Sequence, residues 1–149
     1  MKTYIRLLFA FVSYLGFSQQ KSFEIDWQGT ITLQTSSSSI EVPSFDKKNF
    51  NFDYSTGLSF FAQWDLSMPI NENSVELVNV SYSSISTSEL KSLPLNTIPE
   101  AVKFNFKNSI ARGKRTAFIE LSPIIKENGI YKKITAFTIN YNTNSSSGS

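Results

Sequence analysis

Apolar and polar side chains alternate with a period of two along most of the chain, and this pattern limits the fold more than any other feature. The alternation is clear at Phe23, Ile25 and Trp27, which are separated by polar residues. It returns at residues 30–34, 50–54, 58–68, 75–82 and 101–108. Successive side chains of a strand point to opposite faces of a sheet, so the pattern predicts β-strands that each bury one face.

The end of the sequence indicates how these strands are arranged. Residues 117–121 alternate, Asn128-Gly129 is a strong turn signal, and residues 130–141 read as a return strand. Both faces of that return strand are apolar, which is typical of a strand inside a sandwich. With 149 residues, 40% of them hydrophobic, the chain suits one domain. We therefore predict an all-β fold, an antiparallel β-sandwich.

Two segments interrupt the strand pattern. Residues 35–39 are polar, so we expect a loop there, and we expect irregular chain between Pro43 and Lys47-Lys48-Asn49. Ser86 and Glu89 have the spacing of a helix capping box, and Pro94 ends any helix that begins at this point. The second segment predicts one short helix or 3-10 turn near residues 87–93.

The beginning of the chain has the pattern of an export signal. Lys2 and Arg6 precede an apolar stretch at residues 7–17, which is shorter than the 20 or so residues needed to span a membrane. Gly16 and Ser18 are small residues, placed as in a cleavage site between Ser18 and Gln19. We expect cleavage there rather than an uncleaved anchor, and the absence of Cys excludes a lipid-anchored form.

These features divide the chain into three parts. Residues 1–18 are the predicted signal peptide, residues 19–141 the β-sandwich domain, and residues 142–149 a flexible linker or truncated end. The last part is polar, small and uncharged, which indicates that the chain was cut from something longer. Loss of Lys2 and Arg6 leaves 12 basic and 12 acidic residues, so nothing in the net charge favours nucleic acid as a partner.

The chain contains neither Cys nor His, which excludes the common catalytic and zinc sites. The scattered glycines form no phosphate-binding loop, and we predict no catalytic residue, no metal site and no cofactor.

Glu24 and Asp26 are predicted on one strand face, most simply the solvated face. Asp53 and Asp65 lie among aromatic residues, which favours a buried aromatic core over a sugar-binding platform.

The basic run Arg112-Gly113-Lys114-Arg115 lies between two predicted strands, so it should form an exposed turn. Three interpretations stay open. The charges could simply keep a hairpin turn solvated, mark a protease-sensitive site, or dock on an acidic surface. If the run has a function, Arg112, Lys114 and Arg115 are the candidate contact residues.

Residues 112–141 (RGKRTAFIELSPIIKENGIYKKITAFTINY) resemble the N-terminal region of the PorU family, the gingipain-like sortases of the type IX secretion system of Bacteroidota. In that family a basic turn leads into an apolar strand that ends near a proline, here Pro123. A turn and a return strand follow, here Asn128-Gly129 and residues 135–138. Residues 23–29 (FEIDWQG) also resemble the start of the mature family members.

The resemblance implies a non-catalytic domain that precedes a peptidase domain. Family members are much longer, and their catalytic Cys and His lie downstream, so no catalytic role transfers to any residue here. The implied role resembles that of a gingipain propeptide, which covers the active site and assists folding. The implied partners are the downstream peptidase domain and an outer-membrane β-barrel protein, and the implied location is the cell surface, outer membrane or periplasm.

Two other functions fit the composition. An independent secreted β-sandwich could bind carbohydrate or another surface, and it should then expose a row of Trp or Tyr side chains. A small hydrolase that uses carboxylates alone would need two of them about 5 to 10 Å apart across a cleft.

Overall fold

The computed structural model describes residues 18–144, and most of them lie in ten β-strands. The strands are β1 (Ser18–Glu24), β2 (Trp27–Gln34), β3 (Ser39–Phe45), β4 (Phe50–Asp53), β5 (Gly57–Leu66), β6 (Glu76–Ser84), β7 (Phe104–Ala111), β8 (Lys114–Leu121), β9 (Ile124–Glu127) and β10 (Ile130–Asn142). Three 3-10 turns lie between them, at Lys47–Asn49, Glu72–Ser74 and Leu95–Thr97. Within residues 18–144 no helix has the length and hydrophobicity of a membrane span.

The strands form two four-stranded sheets and a separate hairpin, all antiparallel. In the first sheet β10 lies between β1 and β6 and also pairs with β9. In the second sheet the order is β4-β5-β8-β7, and β2 pairs with β3 in the hairpin. The predicted antiparallel β-sandwich is therefore confirmed, and β10 is central in its sheet as its two apolar faces indicated.

Aromatic side chains fill the space between the sheets. Phe60 of the second sheet and Phe137 of the first meet edge to face, with ring centroids 5.6 Å apart. Phe23 stacks on Phe137 at 5.1 Å, and Ile119 and Ile139 are fully buried beside them. Burial of each such side chain stabilises the fold by about 1.5–3 kcal/mol. The abundance of Phe therefore serves the core of this cysteine-free chain.

The β2–β3 hairpin packs against the sandwich through two aromatic residues. The indole Nε1 of Trp27 donates a hydrogen bond of 2.7 Å to the carbonyl oxygen of Ile134, and the Trp27 ring lies edge to face with that of Phe45. The pairing of β2 with β3 shifts register between Trp27 and Thr30. Gly29 lies in that interval with a φ of +79°, which a glycine adopts at little cost, and it forms the bulge of this strand pair.

Strand β3 differs from the sequence prediction. We expected a loop and irregular chain around Pro43, whereas residues 39–45 form a strand in which Pro43 lies opposite Thr30. Proline cannot donate a hydrogen bond to a neighbouring strand, so it is tolerated in strands that have one free side. Strand β3 pairs with β2 alone, which gives Pro43 such a side.

The return strand has a different partner from the predicted one. Asn128 and Gly129 do form the turn, with φ values of +50° and +78°. The strand that pairs with β10 across this turn is β9, whereas β8 belongs to the other sheet. Between β8 and β9 the chain changes sheets at Ser122 and Pro123, and one alternating run followed by a proline does not reveal such a change.

The predicted helical segment near residues 87–93 forms hydrogen-bonded turns. The capping box is present, because the Ser86 N–H donates to Glu89 Oε2 at 2.7 Å and the Glu89 N–H donates to Ser86 Oγ at 3.2 Å. Leu90 and Leu93 are buried below the turns. Pro94 then precedes the 3-10 turn at Leu95–Thr97.

Both ends of the described chain lie at one end of the sandwich, since Ser18 pairs with Asn142. Thr143 forms a bridge to Ile70. The predicted signal peptide lies outside the described residues except for Ser18, and residues 145–149 also lie outside them. The predicted division into signal, domain and linker stays a prediction.

Candidate interaction surface

The basic run forms the tight turn between β7 and β8. Arg112 and Gly113 connect the two strands with φ values of +51° and +76°. Two central residues with positive φ are the signature of the type I′ turn, which matches the twist of a hairpin. The four residues of the run are all exposed, so the predicted exposed turn is confirmed.

The charges of this turn are only partly compensated. Lys114 Nζ lies 3.1 Å from Asp65 Oδ2, and both side chains are about two-thirds exposed. An ion pair as exposed as this contributes at most about 1 kcal/mol. Arg112 and Arg115 make no ion pair with any residue in the range 18–144. The turn therefore presents two guanidinium groups that are available to a partner.

An apolar side chain that the sequence did not single out lies beside these charges. Ile110 is 65% exposed and lies opposite Arg115 in the β7–β8 ladder. We call the surface formed by Ile110, Arg112, Lys114 and Arg115 the basic end. Ile110 belongs to an ordinary alternating run, and the sequence pattern does not say which apolar positions of an edge strand stay uncovered.

The last described residue, Asn144, also lies near the basic end. The N–H of Asn144 donates a 2.8 Å hydrogen bond to the carbonyl oxygen of Pro69. Pro69 follows Leu66 by three residues, and Leu66 lies opposite Arg115. Three residues span at most about 10 Å, so Asn144 lies near the strand ends that carry the basic turn.

The carboxylates form no catalytic pair. Glu24 ends β1, and Asp26 lies in the break between β1 and β2, so the prediction that both lie on one strand is wrong, but both side chains are exposed as a solvated face requires. The chain leaves the first sheet at Ile25 and Asp26 to enter the hairpin, and the alternation of burial continues across this break. Asp26 only accepts a long hydrogen bond of 3.4 Å from Gln28.

Asp53 and Asp65 have structural partners. Asp53 Oδ1 accepts hydrogen bonds from the backbone N–H groups of Ser55 and Thr56, at 2.7 and 3.1 Å, and from the Ser55 hydroxyl. These bonds, that of the Ser55 hydroxyl first, lower the pKa of Asp53. A general acid at neutral pH needs the opposite, a raised pKa. In the described part of the chain no group of three or more acidic side chains could hold a metal ion.

Most of the aromatic residues belong to the core rather than to a binding platform. Trp64 is half-buried against Phe23 and Phe106, and Trp27 is half-buried under the hairpin. Tyr54 is 52% exposed and packs its edge against Phe52. The described residues therefore show no row of exposed Trp or Tyr side chains.

The second sheet carries a shallow cleft at the end far from the basic turn. It has a volume of about 530 Å³, and its lining includes Glu120, Lys103 and the 38%-exposed ring of Phe104. Glu120 accepts a 2.9 Å hydrogen bond from the hydroxyl of Ser59. One carboxylate that is already bonded, with no second one in the lining, does not make a hydrolytic site.

No known family model matches this sequence, and no curated protein matches it. The fold is similar to that of a chain in the solved complex of the pro- and mature domains of RgpB from Porphyromonas gingivalis, with a TM-score of 0.52. The two chains share 13% identity, and the match covers 89% of this chain and 82% of that one. At this identity the similarity shows the fold alone. The chain thus has a β-sandwich fold similar to that of a chain from a gingipain-type pro- and mature-domain complex.

Proposed function

We propose that this chain is the non-catalytic, propeptide-like N-terminal domain of a gingipain-related protein, specifically of a PorU-like sortase of the type IX secretion system. The observation that carries the proposal is the fold similarity to a chain of the RgpB complex over 89% of the residues. The resemblance of residues 112–141 to the PorU family supports the finer assignment.

The chemistry of the chain is consistent with a supporting role. A cysteine peptidase needs a thiolate and a base, and this chain has neither Cys nor His. The domain therefore contributes folding or docking contacts, and the peptidase domain that follows it contributes bond cleavage.

The basic end is the contact surface in this proposal. Its unpaired guanidinium groups, Arg112 and Arg115, favour an acidic partner, and long-range attraction of opposite charges speeds such association. Asn144, the last described residue, is held near this surface by its hydrogen bond to Pro69. Ile110 adds an apolar contact, which interfaces need at their centre.

The proposed setting is the cell surface, outer membrane or periplasm, reached through the signal peptide. There the full protein would act with an outer-membrane β-barrel partner. An independent binding module for carbohydrate is the alternative. Both Trp side chains are half-buried against the core, which weighs against it, since sugar binding would use fully exposed ring faces.

Co-purification tests the docking role. The peptidase domain of the longer protein is co-expressed with this chain, either unchanged or with Arg112, Lys114 and Arg115 all replaced by Ala. We expect the unchanged chain to co-purify with the peptidase domain and the triple variant to lose at least tenfold in affinity, because it lacks three charges at the interface. The matched control replaces Lys47, Lys48 and Lys91, which are exposed elsewhere, by Ala.

The control variant should bind like the unchanged chain. Equal losses for both triple variants would mean that only net charge matters, and the basic end would not be the contact surface. An unchanged chain that does not bind the peptidase domain at all would refute the docking role.

A further inference from the structure

The two sides of the sandwich differ in how their strand edges are protected. At the β7 edge, Glu72 Oε1 accepts a 2.8 Å hydrogen bond from the outward N–H of Asn108. The side chain of Asn108 bonds the backbone of Ile70 beside it. An unprotected edge is a template for another strand, and natural proteins commonly cover it. This edge is covered at its middle.

The β5 edge on the other side is open. Strand β4 pairs only with residues 57–60 of β5, and the Asn49 side chain then donates a 2.8 Å hydrogen bond to the carbonyl oxygen of Phe61. In an antiparallel strand the backbone groups of alternate residues point to the same side. The N–H and C=O groups of Gln63 and Asp65 therefore point to the same side as those of Phe61, and within residues 18–144 they have no hydrogen-bond partner.

The open stretch lacks the usual protection against pairing. Residues 61–65 (FAQWD) contain no Pro and no Lys, and their one charge, on Asp65, is already paired with Lys114. Beside the stretch lies a groove of about 590 Å³ whose lining includes Phe23, Phe61 and Trp64. A strand added here would find unpaired backbone groups and apolar surface together.

We propose that the open edge of β5 pairs with the same edge of a second copy of this chain, in an antiparallel arrangement with a two-fold axis at Gln63. A two-fold interface brings one patch against itself, so the patch must be complementary to itself. With Gln63 opposite Gln63 of the second copy, Phe61 lies opposite Asp65. All of these residues direct their backbone groups to the open side, as hydrogen-bonded antiparallel pairs require.

The length and side chains of the stretch fit this register. The added strand can extend only to Phe61, because Phe60 is already paired with Phe50 of β4 and the Phe61 carbonyl oxygen already accepts a hydrogen bond from Asn49. In the same register the last residue that pairs is Asp65, one before β5 ends at Leu66. On the inner face the small Ala62 lies opposite the large Trp64 of the second copy, which covers the half-exposed indole.

The balance of charge favours a second copy over a charged partner. The domain carries 12 basic and 12 acidic residues once Lys2 and Arg6 are removed, so two copies do not repel each other strongly. The groove is lined by one further pair of opposite charges, Lys21 and Glu24, and its remaining charge, Lys48, is paired with Asp46 at 3.3 Å. No unpaired charge lies within the stretch itself.

A single introduced cysteine tests the register, since the chain has none of its own. Hydrogen-bonded residues across antiparallel strands have Cα atoms about 5.5 Å apart, within the range for a disulfide. Gln63→Cys should therefore form a covalent dimer rapidly under mild oxidation. The matched control is Lys107→Cys. Gln63 on β5 and Lys107 on β7 both lie opposite Phe118 of β8, but the edge of β7 is the protected one.

Sedimentation of the purified chain at increasing concentration measures the association itself. We expect a monomer–dimer equilibrium, and we expect Gln63→Pro to abolish it, because proline removes an N–H group that makes no bond within the monomer.

The proposal is overturned if the unchanged chain stays monomeric up to about 0.5 mM, or if Gln63→Cys crosslinks no faster than Lys107→Cys. It would also be overturned if the edge takes up only strands of other proteins. Binding of the peptidase domain through the basic end is a separate measurement, so the two proposals can fail independently.

Discussion

The side-chain amide of Asn108 forms two hydrogen bonds with the backbone of a single residue, Ile70. Its Oδ1 accepts from the Ile70 N–H at 3.3 Å, and its Nδ2 donates to the Ile70 carbonyl oxygen at 2.5 Å. Ile70 is 1% exposed and forms a bridge to Thr143 at the end of the first sheet. The Asn108 amide thus connects β7, an edge strand of the second sheet, to Ile70, which pairs with Thr143 just after β10 of the first sheet.

Replacing Asn108 by Ala should destabilise the fold by about 1–3 kcal/mol, because the buried N–H and C=O of Ile70 would lose their partners. Urea unfolding followed by far-UV circular dichroism measures the loss. Asn105→Ala, an exposed position on the same strand, should change the stability by less than about 0.5 kcal/mol. Equal effects of the two substitutions would contradict the role given to Asn108.

Gly57 and Gly113 have similar positive φ values, +85° and +76°, but different surroundings. A Cβ at residue 57 would overlap the Thr97 side chain, whereas one at residue 113 would meet open space. Ala at either position strains the backbone by about 1–2 kcal/mol. We therefore expect Gly57→Ala to lower the free energy of unfolding clearly more than Gly113→Ala does, and the same urea titration decides. Similar losses would show that the contact with Thr97 adds nothing.

The two tryptophans offer a second matched pair. Trp27 Nε1 donates to the carbonyl oxygen of Ile134, whereas the buried Nε1 of Trp64 has no partner in the described part of the chain. Trp27→Phe should therefore destabilise the fold by about 1 kcal/mol more than Trp64→Phe, although both substitutions remove the same atoms. Thermal unfolding monitored by circular dichroism compares them. A larger loss for Trp64→Phe would reverse this interpretation.

Stability should fall as the solution becomes acidic. The pKa of Asp53 is lowered by hydrogen bonds from Ser55, and that of Glu89 by hydrogen bonds from Ser86. A carboxyl group with a lowered pKa in the folded state binds protons more readily when unfolded. The stability that each of these two carboxyl groups contributes is therefore complete above its pKa in the unfolded chain, about 4. That contribution is lost as the pH falls through its lower pKa in the folded protein.

Ser55→Ala removes the donor that lowers the pKa of Asp53 most. Urea midpoints at pH 6 and pH 3 should consequently differ less for Ser55→Ala than for the unchanged chain. If the urea midpoints at pH 6 and pH 3 differ by the same amount in both proteins, Asp53 does not contribute to the loss of stability in acid.

Local sequence signals predicted the parts of the fold that depend on neighbouring residues. The alternation of residues 58–68 predicted β5, and Asn128-Gly129 forms the two-residue turn that its residue types favour. The exposed turn predicted at the basic run is formed by Arg112-Gly113. Strand β3 was missed because Pro43 argues against a strand unless one side of that strand is free, and that freedom depends on the neighbour. The change of sheets at Pro123 likewise depends on tertiary packing.

The same distinction holds for the candidate surface. The basic residues of the turn are visible in the sequence, and their exposure follows from the turn. The exposure of Ile110 and the position of Asn144 near it depend on which strands lie side by side. The open edge of β5 depends on the length of β4 relative to β5, which no local pattern specifies.

The central claim is that this chain is a supporting domain of a larger gingipain-related peptidase. The nucleotide sequence that follows codon 149 in the source genome tests it most directly. The account predicts that coding sequence continues, in frame or after a frameshift, into a long segment that encodes a Cys and a His. A stop codon followed by an unrelated gene would contradict it and would favour an independent secreted binding module.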